Sequence, residues 1–167
     1  MMKRLGIAAT VLAIGLAAGC GSSNNNNNPN GPSNITVFTV NLLPSNEVPP
    51  ITNAEQSARG TAVITINSQT NTVDFNVSVN SFPAGSALTA AHIHPGAAGV
   101  NNGFVVNTGL TAGNAPTLNN GAATFSFTGV APSSPDTIAQ ILANPQNFYF
   151  NVHSTQNGGG VMRAQLR

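Results

Sequence analysis

Lysine, cysteine and tryptophan are nearly missing from this chain of 167 residues. It holds one lysine (Lys3), one cysteine (Cys20), no tryptophan and a single tyrosine, Tyr149. A lone cysteine excludes an intramolecular disulfide. Charged residues make up 5% of the sequence, far below the roughly 25% of an ordinary soluble domain. Beyond the first few residues there is no lysine for Schiff-base or P-loop chemistry. From residue 20 onward Arg59, Arg163 and Arg167 face Glu47, Glu55, Asp74 and Asp136, three positive charges against four negative. No basic patch is left, so nucleic-acid binding has no electrostatic basis. The polar surface must come from Asn, Ser, Thr and Gln. Apolar residues still make up 41% of the chain, and the length suits one domain rather than two.

The longest apolar run lies at the start. Lys3 and Arg4 precede Leu5 to Leu16, a stretch too short to span a bilayer, which needs about 20 residues. Residues 1–19 read as a signal peptide. The run closes on Leu16-Ala17-Ala18-Gly19-Cys20, which resembles the lipobox of bacterial lipoproteins and makes Cys20 the expected lipidation site. The alternative is an ordinary secretory signal with an incidental cysteine. Residues 21–34 hold Asn24 to Asn28 in a row, then Pro29, Gly31 and Pro32. Nothing there can bury apolar area, so 20–34 is expected to be a lipidated cysteine and a disordered tether. Extended, the residues after Cys20 would reach about 45–50 Å. Gly21 stands where an Asp would signal inner-membrane retention in a diderm. The expected location is therefore exported and lipid-anchored, at the outer membrane or cell surface, with the membrane as partner and no nucleic acid.

From Ile35 the hydrophobic period is two. Ala62, Ile64 and Ile66 alternate with polar or smaller residues, as do Val73, Phe75, Val77 and Val79. Phe125 and Phe127 form a third series, and Phe148, Phe150 and Val152 a fourth. Each reads as a strand with one dry and one wet face. Further strands are expected at 35–43, 88–94, 103–107 and 160–167, with a hairpin at Asn67–Asn71. About eight short strands imply an all-β fold, an antiparallel Greek-key sandwich or flattened barrel. Ser134-Pro135-Asp136 reads as a helix start, Ile138, Ile141 and Leu142 recur at helical spacing, and Asn144-Pro145 ends the run. One short helix is expected at 135–143.

All three histidines fall on two of these strands. His92 and His94 are two apart, so they share one face, with Cα atoms about 6.6 Å apart. His153 has the polar parity of its own strand. If strands 88–94 and 147–153 are close, the imidazoles can converge on one ion, and neutral imidazole suits copper and zinc. A water would fill the fourth position. The competing reading is surface decoration, or histidines that hydrogen-bond loop backbone. Gly96, Gly99, Gly103 and Gly158-Gly159-Gly160 read as turns rather than phosphate cradles, because no helix follows them.

Several motifs carry a family resemblance. Asn46-Glu47-Val48-Pro49-Pro50, Ala91-His92-Ile93-His94-Pro95-Gly96, Gly99-Val100-Asn101-Asn102-Gly103, Asn151-Val152-His153-Ser154 and Gly159 to Leu166 resemble the chordin (CHRD) domain, in the family's order. The resemblance spans about 36–167, so 35–167 is taken as one CHRD-like β domain. Two departures stand out: Ala164 replaces the usual glycine of the closing motif, and the second loop is rich in Asn where the family often has Pro. The resemblance implies a binding or structural module. A weaker resemblance links the same residues to copper/zinc superoxide dismutases, with His92, His94 and His153 as copper ligands and Arg163 beside the copper. The bridging histidine, zinc ligands and disulfide have no counterpart. Glu47 would pair with Arg163 or fix the turn before Pro49-Pro50, and Arg163 would otherwise bond a loop carbonyl or Glu47. The leading expectation is a non-enzymatic, surface-anchored binding module. A copper- or zinc-binding lipoprotein is the alternative. An enzyme is least supported, since no base or nucleophile has an orienting partner.

Overall fold

The computed structural model describes residues 33–167. The expected signal peptide, Cys20 and most of the tether lie outside the described residues. Eight strands follow in order: β1 (Ile35–Leu42), β2 (Arg59–Asn67), β3 (Thr72–Asn80), β4 (Leu88–Pro95), β5 (Val106–Asn107), β6 (Ala123–Val130), β7 (Phe148–Ser154) and β8 (Met162–Gln165), with helix α1 (Thr137–Ala143) between β6 and β7. They form two antiparallel sheets of four, ordered β1-β2-β3-β6 and β5-β4-β7-β8. β6 returns beside β3 after the chain has crossed to the other sheet, the long return of a Greek key. The sheets stay open and meet at one corner, where Leu43 and Arg163 exchange backbone hydrogen bonds of 3.2 and 3.3 Å. The fold is a sandwich, not a closed barrel.

Alternation places the core where the sequence puts it. Ile64, Ile66, Val73, Phe75, Val77, Ile93, Phe150 and Val152 are all buried between the sheets. Phe75 and Phe150 stack across the gap with ring centroids 5.5 Å apart. Phe125 is buried too, but Phe127 is only partly so. The register of β3 against β6 slips between Val73 and Phe75. Near the slip Gly129 takes a φ of 66° and donates to Asp74 Oδ1 at 2.7 Å. The β2–β3 hairpin turns where expected, with Asn67 Oδ1 accepting from the Gln69 and Thr70 amides.

Several expectations need correction. The strand expected at 103–107 shrinks to Val106–Asn107, and that at 160–167 to Met162–Gln165. The helix starts at Thr137, with Asp136 as a cap residue whose side chain makes no capping bond. Its Ile138 and Ile141 are buried in the core as helical spacing requires. The largest difference concerns β7, which is buried along both faces from Phe148 to Ser154. The face expected to be wet meets the loops that carry Glu47 and Asn102 and the turn that follows β7.

Candidate metal centre

The covered face belongs to the second sheet. Pairing sets His92 opposite Asn151, His94 opposite Tyr149 and Ala90 opposite His153, with Arg163 opposite Asn151 on the far side. Alternation turns His92, His94, Tyr149, Asn151, His153 and Arg163 outward together, away from the Phe75–Phe150 core. His94 and His153 are buried and His92 is half-buried.

The three imidazoles converge, with one ligand nitrogen from each lying within 4.8 Å of the others. His94 Nδ1 lies 2.8 Å from the Asn102 carbonyl and His153 Nδ1 lies 2.9 Å from the Gly158 carbonyl. A carbonyl can only accept, so both Nδ1 atoms carry hydrogen. Each Nε2 then presents a lone pair. His153 Nε2 meets His92 Nδ1 at 3.1 Å, and His94 Nε2 is buried with no partner. An ion held at about 2.0–2.1 Å by tetrahedral nitrogens spaces them about 3.3 Å apart, so seating one needs shifts under about 1 Å per ring.

Aromatic rings frame the triad. Phe104, itself half exposed, stacks on His92 at 4.5 Å. Tyr149 stacks on His94 at 4.9 Å, the two planes only 4° apart. The Arg163 guanidinium lies 4.4 Å from the Tyr149 ring centre. Since β7 runs between β4 and β8, Tyr149 separates the arginine from His94. Arg163 is 1% exposed, and its bonds go to Asn46 O (2.7 Å), Val100 O (3.1 Å) and Asn101 Oδ1 (2.8 Å). It holds the two loops down rather than bonding Glu47. Glu47 instead accepts from Asn151 Nδ2 at 3.2 Å.

Burial sets the electrostatics. It lowers the His92 pKa to about 4, helped by repulsion from His153 and His94. Burial also lowers His94, against the pull of the Asn102 carbonyl, and His153, against that of the Gly158 carbonyl. The imidazoles are thus held neutral, the form that ligates metals. Glu47 is pushed up to about 7 by burial, with Arg163 and Asn151 drawing it back.

Sequence reasoning missed several contributors. Tyr149 and Asn151 share His153's parity and could have been found from it. Phe104 and Asn102 sit on a loop whose path no local pattern gives. Glu55 carried no signal at all, yet it is fully buried and accepts from Ser154 Oγ and from Asn157 Nδ2. The Asn157 amide donates in turn to Ser154 Oγ at 3.0 Å. Glu55 therefore anchors the turn that delivers the Gly158 carbonyl to His153.

Fold and site together define a two-sheet β-sandwich with three histidines gathered beneath glycine-rich loops. The family model for the CHRD domain matches residues 38–166, and the chain belongs to that family. That membership supports a binding or structural module. No curated protein and no solved structure matches the chain.

Proposed function

We propose that this protein is an exported, lipid-anchored lipoprotein whose CHRD domain binds one copper or zinc ion through His92, His94 and His153. One observation carries the metal reading: three imidazole nitrogens face one another within 4.8 Å while backbone carbonyls occupy the far nitrogens of two of them. Metal-ligating histidines are oriented by such bonds from the other ring nitrogen. A pair of surface histidines would need neither convergence nor a buried, unpartnered Nε2. An all-imidazole set without thiolate or carboxylate suits copper and zinc, and copper should bind more tightly. The anchor rests on Leu16 to Cys20 and on the asparagine-rich stretch behind it. Calorimetric titration of the metal-free protein with Cu²⁺ and Zn²⁺ tests the reading. Saturable one-to-one binding that disappears in His94→Ala supports it. No heat in the wild type, or the same heat in the variant, leaves only the binding-module reading.

A further inference from the structure

A second site lies on the other side of the turn that holds His153. Segments 47–53 and 156–160 bound an open cleft of about 460 Å³, with Asn101 at its side. That volume is within the range of about 300–1,000 Å³ that small-molecule sites occupy. Glu47 lines this cleft although its side chain is only 5% exposed. Its Oε1 accepts from Asn151. Its Oε2 has no hydrogen-bond partner among the described residues, and it is not among the sealed, unpartnered atoms, as Glu55 Oε1 is. A buried carboxylate oxygen is thus left for something in the cleft.

The rest of the lining narrows what that is. Val48, Pro49 and Pro50 form an exposed apolar wall. The lining also includes Gly158 and Gly159, whose amides donate to no group among the described residues. Gly160 closes the turn with φ at 133°, and a Cβ there would collide with Asn151 and the Glu47 carboxylate. Only glycine lets the backbone come this close to the acid. No other ionisable side chain lines the cleft. Burial keeps the Glu47 carboxyl about half neutral near pH 7, and Arg163 already faces its charge, so neither an ammonium nor an anion finds a full opposite charge in the cleft.

We infer that this cleft binds a neutral sugar ring, with Glu47 Oε2 accepting from a hydroxyl, the Gly158 and Gly159 amides donating to neighbouring hydroxyls, and the proline wall covering the ring's C–H face. Adjacent hydroxyls supply donors and acceptors side by side, as this lining requires. The inference does not rest on the metal reading, because the ligand touches no histidine.

The test follows amide resonances of the ¹⁵N-labelled, metal-free protein during titration with glucose, N-acetylglucosamine and cellobiose. Saturable shifts at Glu47, Gly158 and Gly159 with at least one sugar are expected. Tighter binding of cellobiose would identify the end of a glycan chain rather than a free monosaccharide as the occupant. At pH 8, where Glu47 is mostly ionised, Glu47→Gln should weaken binding about tenfold or more, the loss of one hydrogen bond to a charged group. Gly159→Phe should block it; a Cβ at 159 meets no atom within 4 Å, and unchanged amide shifts away from the turn check that the fold is retained. His92→Ala should retain sugar binding while losing metal, because His92 bonds only His153 and neither wall of the cleft, which keeps failure of one site distinct from failure of the other. Shifts with none of the three sugars, unchanged binding in Gly159→Phe, or stronger binding of ethylenediammonium or acetate than of any sugar would each overturn the inference.

Discussion

His153 points its Nδ1 hydrogen at the Gly158 carbonyl, 2.9 Å away and five residues further along the chain. That bond fixes the ring's tautomer and aims Nε2 at His92. It depends on the turn at 154–158 staying in place, and the turn depends on Glu55. Replacing Glu55 with Gln removes the carboxylate that accepts from both Ser154 and Asn157. Copper and zinc affinity should fall about tenfold or more, as when an outer-shell partner is lost. The His153 ring ¹⁵N shifts should show loss of the fixed Nδ1–H tautomer. Unaltered affinity with an unaltered ring spectrum would refute this role for Glu55.

Acid should destabilise the metal-free domain. The three histidines have pKa values lowered in the fold, that of His92 to about 4. Below their unfolded value near 6.5 the unfolded chain binds protons that the native rings do not. Stability is then present above about pH 6.5 and is lost as pH falls, for His92 down to about 4. Glu47 works the other way. Its folded pKa of about 7 lies above the unfolded 4.5, so it favours the native state below 4.5 and loses that contribution as pH rises through 7. Three groups outweigh one below 6.5, and the net acid limb falls. In Glu47→Gln the opposing group is gone, and the acid limb should steepen. Urea midpoints measured from pH 4 to 8 on both proteins check the sign.

The core prediction compares two phenylalanines. Phe75 is 1% exposed and stacked on Phe150, and Phe75→Ala should cost roughly 3–5 kcal/mol. Phe127→Ala should cost clearly less, because its ring is only partly buried. Asn76→Ala, on the exposed face of the same strand as Phe75, should stay within about 0.5 kcal/mol. Equal costs for the two phenylalanines in denaturant melts would contradict the burial difference.

Membrane attachment is expected to depend on one sulfur atom. Cys20→Ser should release the protein from the membrane fraction, since each buried CH₂ of an acyl chain is worth about 0.8 kcal/mol. Fractionation followed by immunoblotting reads the outcome, and full retention of the variant would refute the anchor.

The sequence by itself determined most of the strands, their inward faces and the shared parity of the histidines, while the pairing of β4 with β7 that brings them together came from the fold. The first three follow from a period of two, a local property that neighbouring residues carry without reference to the rest of the chain. Val73, Phe75, Val77 and Val79 announce their face, and the parity of His92, His94 and His153 puts all three on the other one. What covers that face was decided only by tertiary structure. Glu47 reaches Asn151 across 104 positions and Ser154 reaches Glu55 across 99. Loops have no period, and their course is set by which distant groups they can pair with. So β7 reads as half wet from its alternation, yet it lies buried on both sides. Phe127 reads as core, yet β6 is the edge strand of its sheet and the ring is only partly buried. Alternation says which way a side chain points; only the folded chain says what it meets there, because burial is a property of the whole packing and not of the strand.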